Sequence, residues 1–461
     1  MQRLVFYDFE TTGTSTAYDQ PLQFAAIVTD EDFKSLETID IRCRVAPHII
    51  PSPYALKVTN IAPEQTTNTN LPTAFEFSQS LFAFIKKWEP AIWIGYNTIA
   101  FDEQMMRQLF YQNLQPNIYA TQSSGNSRLD VMKMVHVVFD KAKHILEFPI
   151  NEKGKPSFKL DNLAPANGFA HENAHDALAD VEATIFILNK IKNADRDLYD
   201  ELIRTSNKDE MAQLLKGFAP VEVTQRYGGS DPKTYQGCYC GTSTGNANEI
   251  GFLDITDDVS DLISGDAEAI EEAINSSPKR IRALSLNKAE SFRAIINPSP
   301  EQLEKCSAIA NAFELHRIVG EKLAIRFDEQ DESEQNIEDK IYGKFYSWAD
   351  KERLEQFQSA PWEQRQEITE EFEDARLKQL GRRLIAFCAP HLLSQKQVQQ
   401  YRDFVKSKWE SEAENPEWTT ISTLQKDLAE LSSESDITSD QYHRMIEFYR
   451  NYLNEFGCRL D

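Results

Sequence analysis

The stretch that decides the fold is Leu4-Val5-Phe6-Tyr7-Asp8-Phe9-Glu10-Thr11, an apolar run that carries two carboxylates one residue apart. Such a run is typical of a strand buried on both faces in a mixed or parallel sheet. Side chains two apart on a strand share a face, so Asp8 and Glu10 lie side by side. Two buried like charges repel each other, and a hard divalent cation such as Mg²⁺ relieves that repulsion. The alternative is a solvated strand end, and further carboxylates must decide between the two.

The following segments continue an α/β pattern. The predicted elements are strands at 23–30, 38–45 and 91–97, a helix over 73–87, and helices that start near Asp102 and near Asp130. A last helix carries Asp180 close to its start, with Val181 on its inner face. The strand at 91–97 ends in Gly95-Tyr96-Asn97, as a strand does when it delivers the chain to an active-site edge.

Two of the predicted helix starts carry candidate functional residues. Asp102 lies in the first turn of its helix, where it is either a capping acid or a metal ligand. His175 lies in the turn five residues before Asp180. Considered alone, a His in such a turn is more often a surface or capping residue than a catalyst. These residues gain weight only in combination with Asp8 and Glu10.

Size and charge restrict the possible functions. A chain of 461 residues is too long for one core, which predicts two or three domains. The net charge of -24 disfavours a polyanionic partner unless a local basic groove and bound cations receive it. One basic loop carries Lys153, Lys155 and Lys159, and it is either solvated or able to hold phosphate. With no long apolar run and a strand at the N-terminus, we expect a cytoplasmic protein without a membrane segment.

Three motifs in order match the DEDDh subclass of the DEDD exonuclease superfamily. They are D-x-E at Asp8, N-x-x-x-F-D ending at Asp102, and H-x-x-x-x-D from His175 to Asp180. The N-terminal part resembles the bacterial exonuclease I family more closely still. The stretches that carry this resemblance are Asp8-Phe9-Glu10-Thr11, Gln23-Phe24-Ala25-Ala26-Ile27, Asn126-Ser127-Arg128, Ser157-Phe158-Lys159-Leu160 and Asn173-Ala174-His175-Asp176-Ala177.

The resemblance implies a role for each motif residue. Asp8, Glu10, Asp102 and Asp180 would hold two Mg²⁺ ions, with Mn²⁺ able to substitute, and His175 would be the general base. Further residues would contact the substrate: Thr11, Phe24, Ile61, Asn97, Phe101, Arg128 and Lys159. One departure is Asn60, where relatives tend to have Gly. Asn tolerates a left-handed backbone better than most residues, so the turn can persist.

The resemblance also implies three domains in an α/β protein. They are a ribonuclease H-like mixed-sheet exonuclease domain over 1–200, an SH3-like β-barrel domain with helical additions over 201–340, and a helical C-terminal domain over 341–461. The acidic run 328–339 predicts a flexible linker. The basic strand Arg280–Lys288 is either a DNA contact or a sheet edge guarded by charge. In the last domain a single helix is predicted over 362–388, and the aromatic residues of 442–452 are predicted to be core.

The implied activity is 3′-to-5′ degradation of single-stranded DNA to 5′-mononucleotides in DNA repair and recombination. The implied partners are single-stranded DNA and the acidic C-terminal tail of the single-stranded DNA-binding protein, and the enzyme is expected to be a monomer. One alternative is a DEDDh nuclease that trims RNA or proofreads, which the exonuclease I-like remainder of the chain disfavours. Another is an inactive module that binds single strands, which the complete set of acids and the His disfavour.

Overall fold

The computed structural model describes residues 3–170, 175–325, 335–435 and 437–460. Within these residues a mixed sheet is followed by a second, antiparallel sheet and then by a helical region. The predicted α/β class is therefore confirmed, together with the order of its parts. No helix in the described ranges is long and apolar enough to cross a membrane.

The first sheet has β1 at its centre. Its strands are β1 (Arg3–Thr11), β2 (Pro21–Thr29), β3 (Ser35–Arg42), β4 (Ala91–Gly95) and β5 (Ser127–Asp130). The strand order is β3-β2-β1-β4-β5, in which β1 pairs antiparallel with β2 and parallel with β4. A central strand with both faces covered needs apolar side chains at nearly every position, which explains the run that opens the sequence.

Helices cover both faces of this sheet. They are α1 (Pro53–Val58), α2 (Ala74–Trp88), α3 (Asp102–Gln112), α4 (Val131–Lys141), α5 (Leu160–Ala166), α6 (Ala177–Ala194), α7 (Arg196–Arg204) and α8 (Lys208–Lys216). Leu4 and Phe6 pack in one core with Val181 of α6. Val5 and Tyr7 pack in the other core, with α2 and α3. The alternation along β1 places its two carboxylates on the α6 side.

The second sheet is antiparallel throughout. Its strands are β6 (Val221–Gln225), β7 (Lys233–Thr242), β8 (Glu249–Asp254), β9 (Ile281–Ser285) and β10 (Arg293–Ala294), in the order β10-β6-β7-β8-β9. Four helices accompany them: α9 (Ser260–Ile263), α10 (Ala267–Asn275), α11 (Pro300–Asn311) and α12 (Phe313–Ala324). Gly320 lets α12 approach β7, because a Cβ there would lie 2.6 Å from the carbonyl oxygen of Thr242. The likeness of this part to an SH3 barrel stays a prediction.

The C-terminal helices are α13 (Trp348–Ser359), α14 (Trp362–Glu371), α15 (Ala375–Cys388), α16 (Gln395–Trp409), α17 (Ile421–Leu431) and α18 (Ser439–Asn454). The prediction of one helix over 362–388 is wrong, because α14 and α15 are separate. The buried carboxylate of Asp350 accepts the backbone N–H groups of Glu373 and Asp374, and Asp374 in turn caps α15. Asp350, which is distant in sequence, therefore binds the backbone between α14 and α15 and separates the two helices.

The acidic run 328–339, predicted to be a flexible linker, includes acids that other parts of the fold bind. Residues 328–334 lie outside the described residues, but Glu338 is buried between Arg383 at 3.0 Å and Lys408 at 3.1 Å. Those two cations hold the pKa of Glu338 at about 2 against the effect of burial. Asp339 accepts a hydrogen bond from the Tyr18 hydroxyl. The prediction of a flexible run is therefore wrong for 338–339, where acids are bound by groups far away in sequence.

An apolar core is shared by the first and last parts of the chain. Residues 45–61 contribute Val45, Ile50 and Leu56, and the C-terminal helices contribute Trp409 and Tyr449. The Tyr449 hydroxyl donates a hydrogen bond of 2.8 Å to the carbonyl oxygen of Pro51. The prediction that the aromatic residues of 442–452 are core rather than a binding stripe is confirmed, and the core they enter is shared.

Candidate active site

Three carboxylates converge beside the end of β1. Asp8 and Glu10 project from β1, and Asp180 lies in the first turn of α6. One oxygen from each of the three lies within 4.8 Å of the others. Glu10 is buried, and the other two are half-buried. The sheet and the helix therefore bring together residues that are 170 positions apart, as the sequence predicted.

Asp102 joins this group through the backbone of β1. It is the first residue of α3 and is buried, and its Oδ1 accepts a hydrogen bond of 3.2 Å from the backbone N–H of Phe9. Phe9 lies between Asp8 and Glu10, so this bond fixes Asp102 beside both. The sequence left two roles open for Asp102, that of a capping acid and that of a metal ligand. The structure is compatible with both roles. The carboxylate of Asp102 lies at a helix N-terminus and is also close enough to Asp8 and Glu10 to raise the pKa of both.

The electrostatics of the cluster favour a bound cation. Burial, then the charges of Asp102 and Asp180, raise the pKa of Asp8 well above its usual value. Burial and the charges of Asp180 and Asp102 raise the pKa of Glu10 to about 9, and Arg42 opposes this rise. Burial raises the pKa of Asp102 to about 8 although the Phe9 N–H opposes it. Clustered oxygen donors that repel one another fit hard divalent ions such as Mg²⁺ or Mn²⁺.

His175 occupies the turn immediately before α6. Its φ is +65°, a left-handed conformation that is uncommon for a residue with a Cβ. The next residue, Asp176, caps α6 by accepting the Leu178 N–H at 3.2 Å. His175 and Asp180 line the same cleft. The preceding residues 171–174, including Asn173 and Ala174 of the predicted motif, lie outside the described residues.

Two clefts meet at the carboxylates. The first has a volume of about 970 Å³ and is lined by Asn97, Lys159, His175 and Asp180, with Arg226 from the second sheet's domain on its wall. The second has a volume of about 560 Å³ and runs between the first and last parts of the chain. Its lining includes Glu10, Thr11, Phe101, Thr59 and Trp418. A strand that lies in either cleft can therefore have its end at the acids.

Four of the seven predicted substrate contacts lie on these cleft walls. Asn97 and Lys159 line the first cleft, and both are exposed. Thr11 and Phe101 line the second cleft. Asn97 also has a φ of +64°, and its backbone N–H donates to Asp130 at 2.9 Å. These four residues remain candidates for contact with the substrate.

The other three predicted contacts are buried and line neither of these clefts, and their contact with the substrate stays a prediction. Phe24 is fully buried and packs against Phe9, with ring centroids 5.0 Å apart. Ile61 is buried in the core shared with the C-terminal helices, although the left-handed turn expected at Asn60 is present with φ +53°. Arg128 is buried and paired with Glu103 at 2.9 Å.

Three further charged residues near the site were not predicted from the sequence to have a role. Glu103 is buried below the cluster, where it accepts hydrogen bonds from Tyr7 and Arg128. Arg226 lies over the ring of Phe158 at 4.7 Å. Arg42 forms a 3.1 Å ion pair with Asp176. Only the adjacency of Glu103 to Asp102 could have drawn attention to it, since the other contacts join different elements.

Comparison with known families agrees with this geometry. A family model described as an exonuclease matches residues 5–188, and a model described as the exonuclease I C-terminal domain matches residues 335–456. The second model is specific to one kind of exonuclease, and the two together span more than half of the chain in the expected order. The chain belongs to the exonuclease I family. All four acids and His175 lie within the first match.

Relatives in this family match over most of their length. Exodeoxyribonuclease I of Haemophilus influenzae is 29% identical over 410 residues, which cover 81% of this chain and 84% of the relative. Exodeoxyribonuclease I of Escherichia coli is 27% identical over 368 residues, covering 75% and 77%.

Solved structures match the whole fold. The exonuclease I from Methylocaldum szegediense has a TM-score of 0.82 at 23% identity, covering 99% of this chain and 100% of that chain. The E. coli exonuclease I in complex with a dA16 oligonucleotide has a TM-score of 0.81 at 22% identity, with the same coverage. A zinc-bound form of the E. coli exonuclease I complex with single-stranded DNA also matches, with a TM-score of 0.79 at 22% identity and the same coverage.

Proposed function

We propose that the protein is a metal-dependent 3′-to-5′ exonuclease that degrades single-stranded DNA to 5′-mononucleotides. The observation that carries this proposal is the convergence of Asp8, Glu10 and Asp180 within 4.8 Å, with Asp102 fixed beside them, where two open clefts meet. Membership of the exonuclease I family supports the choice of DNA over RNA, because exonuclease I relatives are named as exodeoxyribonucleases.

The four carboxylates would hold the metal, and the chemistry of their oxygen donors favours Mg²⁺ with Mn²⁺ as a substitute. A pair of bound divalent ions stabilises charge on the attacking and leaving oxygens of a displacement at phosphorus. Asp102 is restrained by its hydrogen bond to β1, and Asp180 by the first turn of α6. These acids are therefore placed by rigid elements, and they need little rearrangement when they bind a cation.

His175 would accept the proton of the attacking water. A neutral imidazole has a ring nitrogen that can take up this proton. The residue lies on the same cleft as Asp180 and precedes α6 in a strained turn. Within the clefts, Lys159 would pair with the phosphate backbone, while the ring of Phe101 offers an apolar surface to a base at the 3′ end.

The decisive experiment is digestion of 3′-labelled and 5′-labelled single-stranded DNA and RNA in Mg²⁺, with Asp180→Asn beside the wild type. We expect mononucleotides released from the 3′ end of DNA, and their loss in Asp180→Asn. Asp197→Asn, on the exposed surface of α7, is the matched control and should digest normally.

Two results would contradict the proposal in different ways. Equal digestion of RNA would favour a DEDDh nuclease of broader specificity. Binding of DNA without any digestion in Mg²⁺ or Mn²⁺ would favour a module that only holds single strands.

We also propose a partner and a setting for this activity. A structure of exonuclease I described together with SSB resembles this chain over 99% of its length. Docking of the acidic C-terminal tail of the single-stranded DNA-binding protein would bring the enzyme to its substrate, and we propose a cytoplasmic monomer. A labelled peptide of that tail should bind in low salt, where ion pairs are least screened, and lack of binding there would exclude the interaction.

A further inference from the structure

We propose that Arg42 is a positioning residue that fixes the turn carrying His175, through an ion pair with Asp176. This inference rests on the proposed function, since it concerns the placement of the general base. The starting point is a row of side chains across the sheet. Glu10 on β1 lies opposite Gln23 on β2, and Gln23 lies opposite Arg42 on β3. Directly opposed residues share a face, so all three lie on the α6 side.

Arg42 reaches from this row to the start of α6. Its Nη2 donates to Oδ2 of Asp176 at 3.1 Å, and Nε2 of Gln23 approaches the same oxygen at 3.4 Å. Gln23 is itself held by Asp40 at 3.0 Å. Two neighbouring strands of the sheet therefore hold one carboxylate oxygen of the residue that follows His175.

The two oxygens of Asp176 have different partners. Oδ1 accepts the Leu178 N–H and caps α6, whereas Oδ2 accepts from Arg42 and Gln23. Asp176 thus links the helix to the sheet. Because the carboxylate is planar and short, fixing both oxygens also fixes its backbone, and with it the peptide that leads back to His175.

His175 needs such a restraint. A left-handed conformation at a residue with a Cβ persists only where the surroundings hold it, and His175 is exposed enough that core packing does not do so. The ion pair is itself about one third exposed, so it adds little to global stability. Its effect is local, on the orientation of the turn before α6, and a displacement of about 1 Å in a reacting group can cost about a hundredfold in rate.

Direct contact with DNA is the competing role for Arg42, since a cation near the carboxylates could bind phosphate. The position argues against it. Arg42 lies two strands from Glu10, which places their Cα atoms about 10 Å apart across the sheet. Its guanidinium is directed to Asp176, and neither cleft that meets at the acids includes Arg42 in its walls.

The test compares Arg42→Gln, Arg42→Lys and Asp176→Asn with the wild type. Asn caps helices as well as Asp does, so Asp176→Asn removes the charge and retains the cap. We expect Arg42→Gln and Asp176→Asn each to lower kcat about 10-fold to 100-fold while the Kd for a single-stranded oligonucleotide stays within about twofold. Arg42→Lys should recover part of the rate, and the double variant Arg42→Gln/Asp176→Asn should be no slower than either single variant.

A second measurement needs no activity. Amide hydrogen exchange in metal-free protein should become faster at Leu178 and its neighbours in the first turn of α6 in Arg42→Gln. Arg196→Gln removes a more exposed Arg–Asp pair, with Asp200 on α7, and is the control that should change neither rate nor exchange at α6.

The outcomes separate this inference from the proposed function. If the wild type digests DNA and Arg42→Gln digests it equally fast, the positioning role is wrong while the function stands. A raised Kd with unchanged kcat would assign Arg42 to phosphate binding instead. A lowered kcat without faster exchange at α6 would also overturn the restraint of the turn. If the wild type digests nothing, the proposed function fails first.

Discussion

Replacing Glu10 by Gln should stabilise the protein when no metal is present. Burial and the charges of Asp180 and Asp102 raise the pKa of Glu10 from 4.5 to about 9. At pH 7 the unfolded chain ionises this residue, whereas the folded, metal-free protein keeps it protonated. The difference costs about 1.4 kcal/mol for each pH unit above 4.5, or about 3 kcal/mol at pH 7. Gln resembles the protonated acid and carries no such cost.

The expected gain is about 1 to 3 kcal/mol, because the neighbouring acids share the repulsion and relax in part when one is removed. The assay is urea unfolding in EDTA at pH 5 and pH 7, with the shift of the midpoint converted by the common slope. An acid whose pKa is raised on folding contributes stability below its unfolded pKa of about 4.5. This contribution is lost as the pH rises towards the folded pKa of about 9. The gain from Glu10→Gln should therefore be small at pH 5 and grow at pH 7.

Metal and a control variant complete the experiment. With Mg²⁺ at about 100 times its Kd, the wild type should gain about 2.7 kcal/mol, and Glu10→Gln should gain less. Glu182→Gln, exposed on α6, should behave as the wild type. If Glu10→Gln were less stable than the wild type in EDTA at pH 7, the carboxylates would be compensated within the protein, and the reasoning for a cation site would be refuted.

Three further predictions concern single side chains. His175→Ala should retain DNA binding and lose about 10²-fold to 10⁴-fold in kcat, whereas His443→Ala on the exposed face of α18 should not; a near-normal rate would exclude the general base. Glu103→Gln leaves Arg128 with no full counter-charge, so the free energy of unfolding measured by thermal unfolding should fall by about 3 kcal/mol. An unchanged free energy of unfolding would contradict the importance of this buried ion pair. Tyr449→Phe should cost about 1 kcal/mol in urea unfolding, because the Pro51 carbonyl loses its donor; an unchanged midpoint would show that bond to be unimportant.

The sequence predicted the residues of the site better than their surroundings. Strand periodicity placed Asp8 and Glu10 on one face, and helix starts placed Asp102 and Asp180, because each depends on local chain geometry. Phe24, predicted to contact the substrate, lies opposite Phe9 in the register of β1 and β2 and is buried, and a shift of one residue decides which face a side chain occupies. Pairing register is not visible in a single strand.

Long-range ion pairs were the second kind of feature that the sequence did not predict. The composition of 328–339 predicted a flexible linker, but Glu338 is bound by Arg383 and Lys408, which are 45 and 70 residues further along the chain. Asp350 similarly interrupts a helix whose own sequence favours continuity. In both cases a charged group is placed by a partner that only the tertiary fold brings near. Local propensity therefore cannot predict the interaction.

The core shared by residues 45–61 and the C-terminal helices has a consequence for synthesis of the protein. Tyr449 closes onto Pro51 across 398 residues. At ribosomal rates of about 5 to 20 residues per second, the helices that cover the apolar side chains of 45–61 are synthesised about 20 to 80 s after that segment. During that interval the nascent N-terminal part of the chain exposes a surface that is interior in the finished protein. Chaperone binding to ribosome-bound chains should therefore be concentrated on this segment until α18 has emerged.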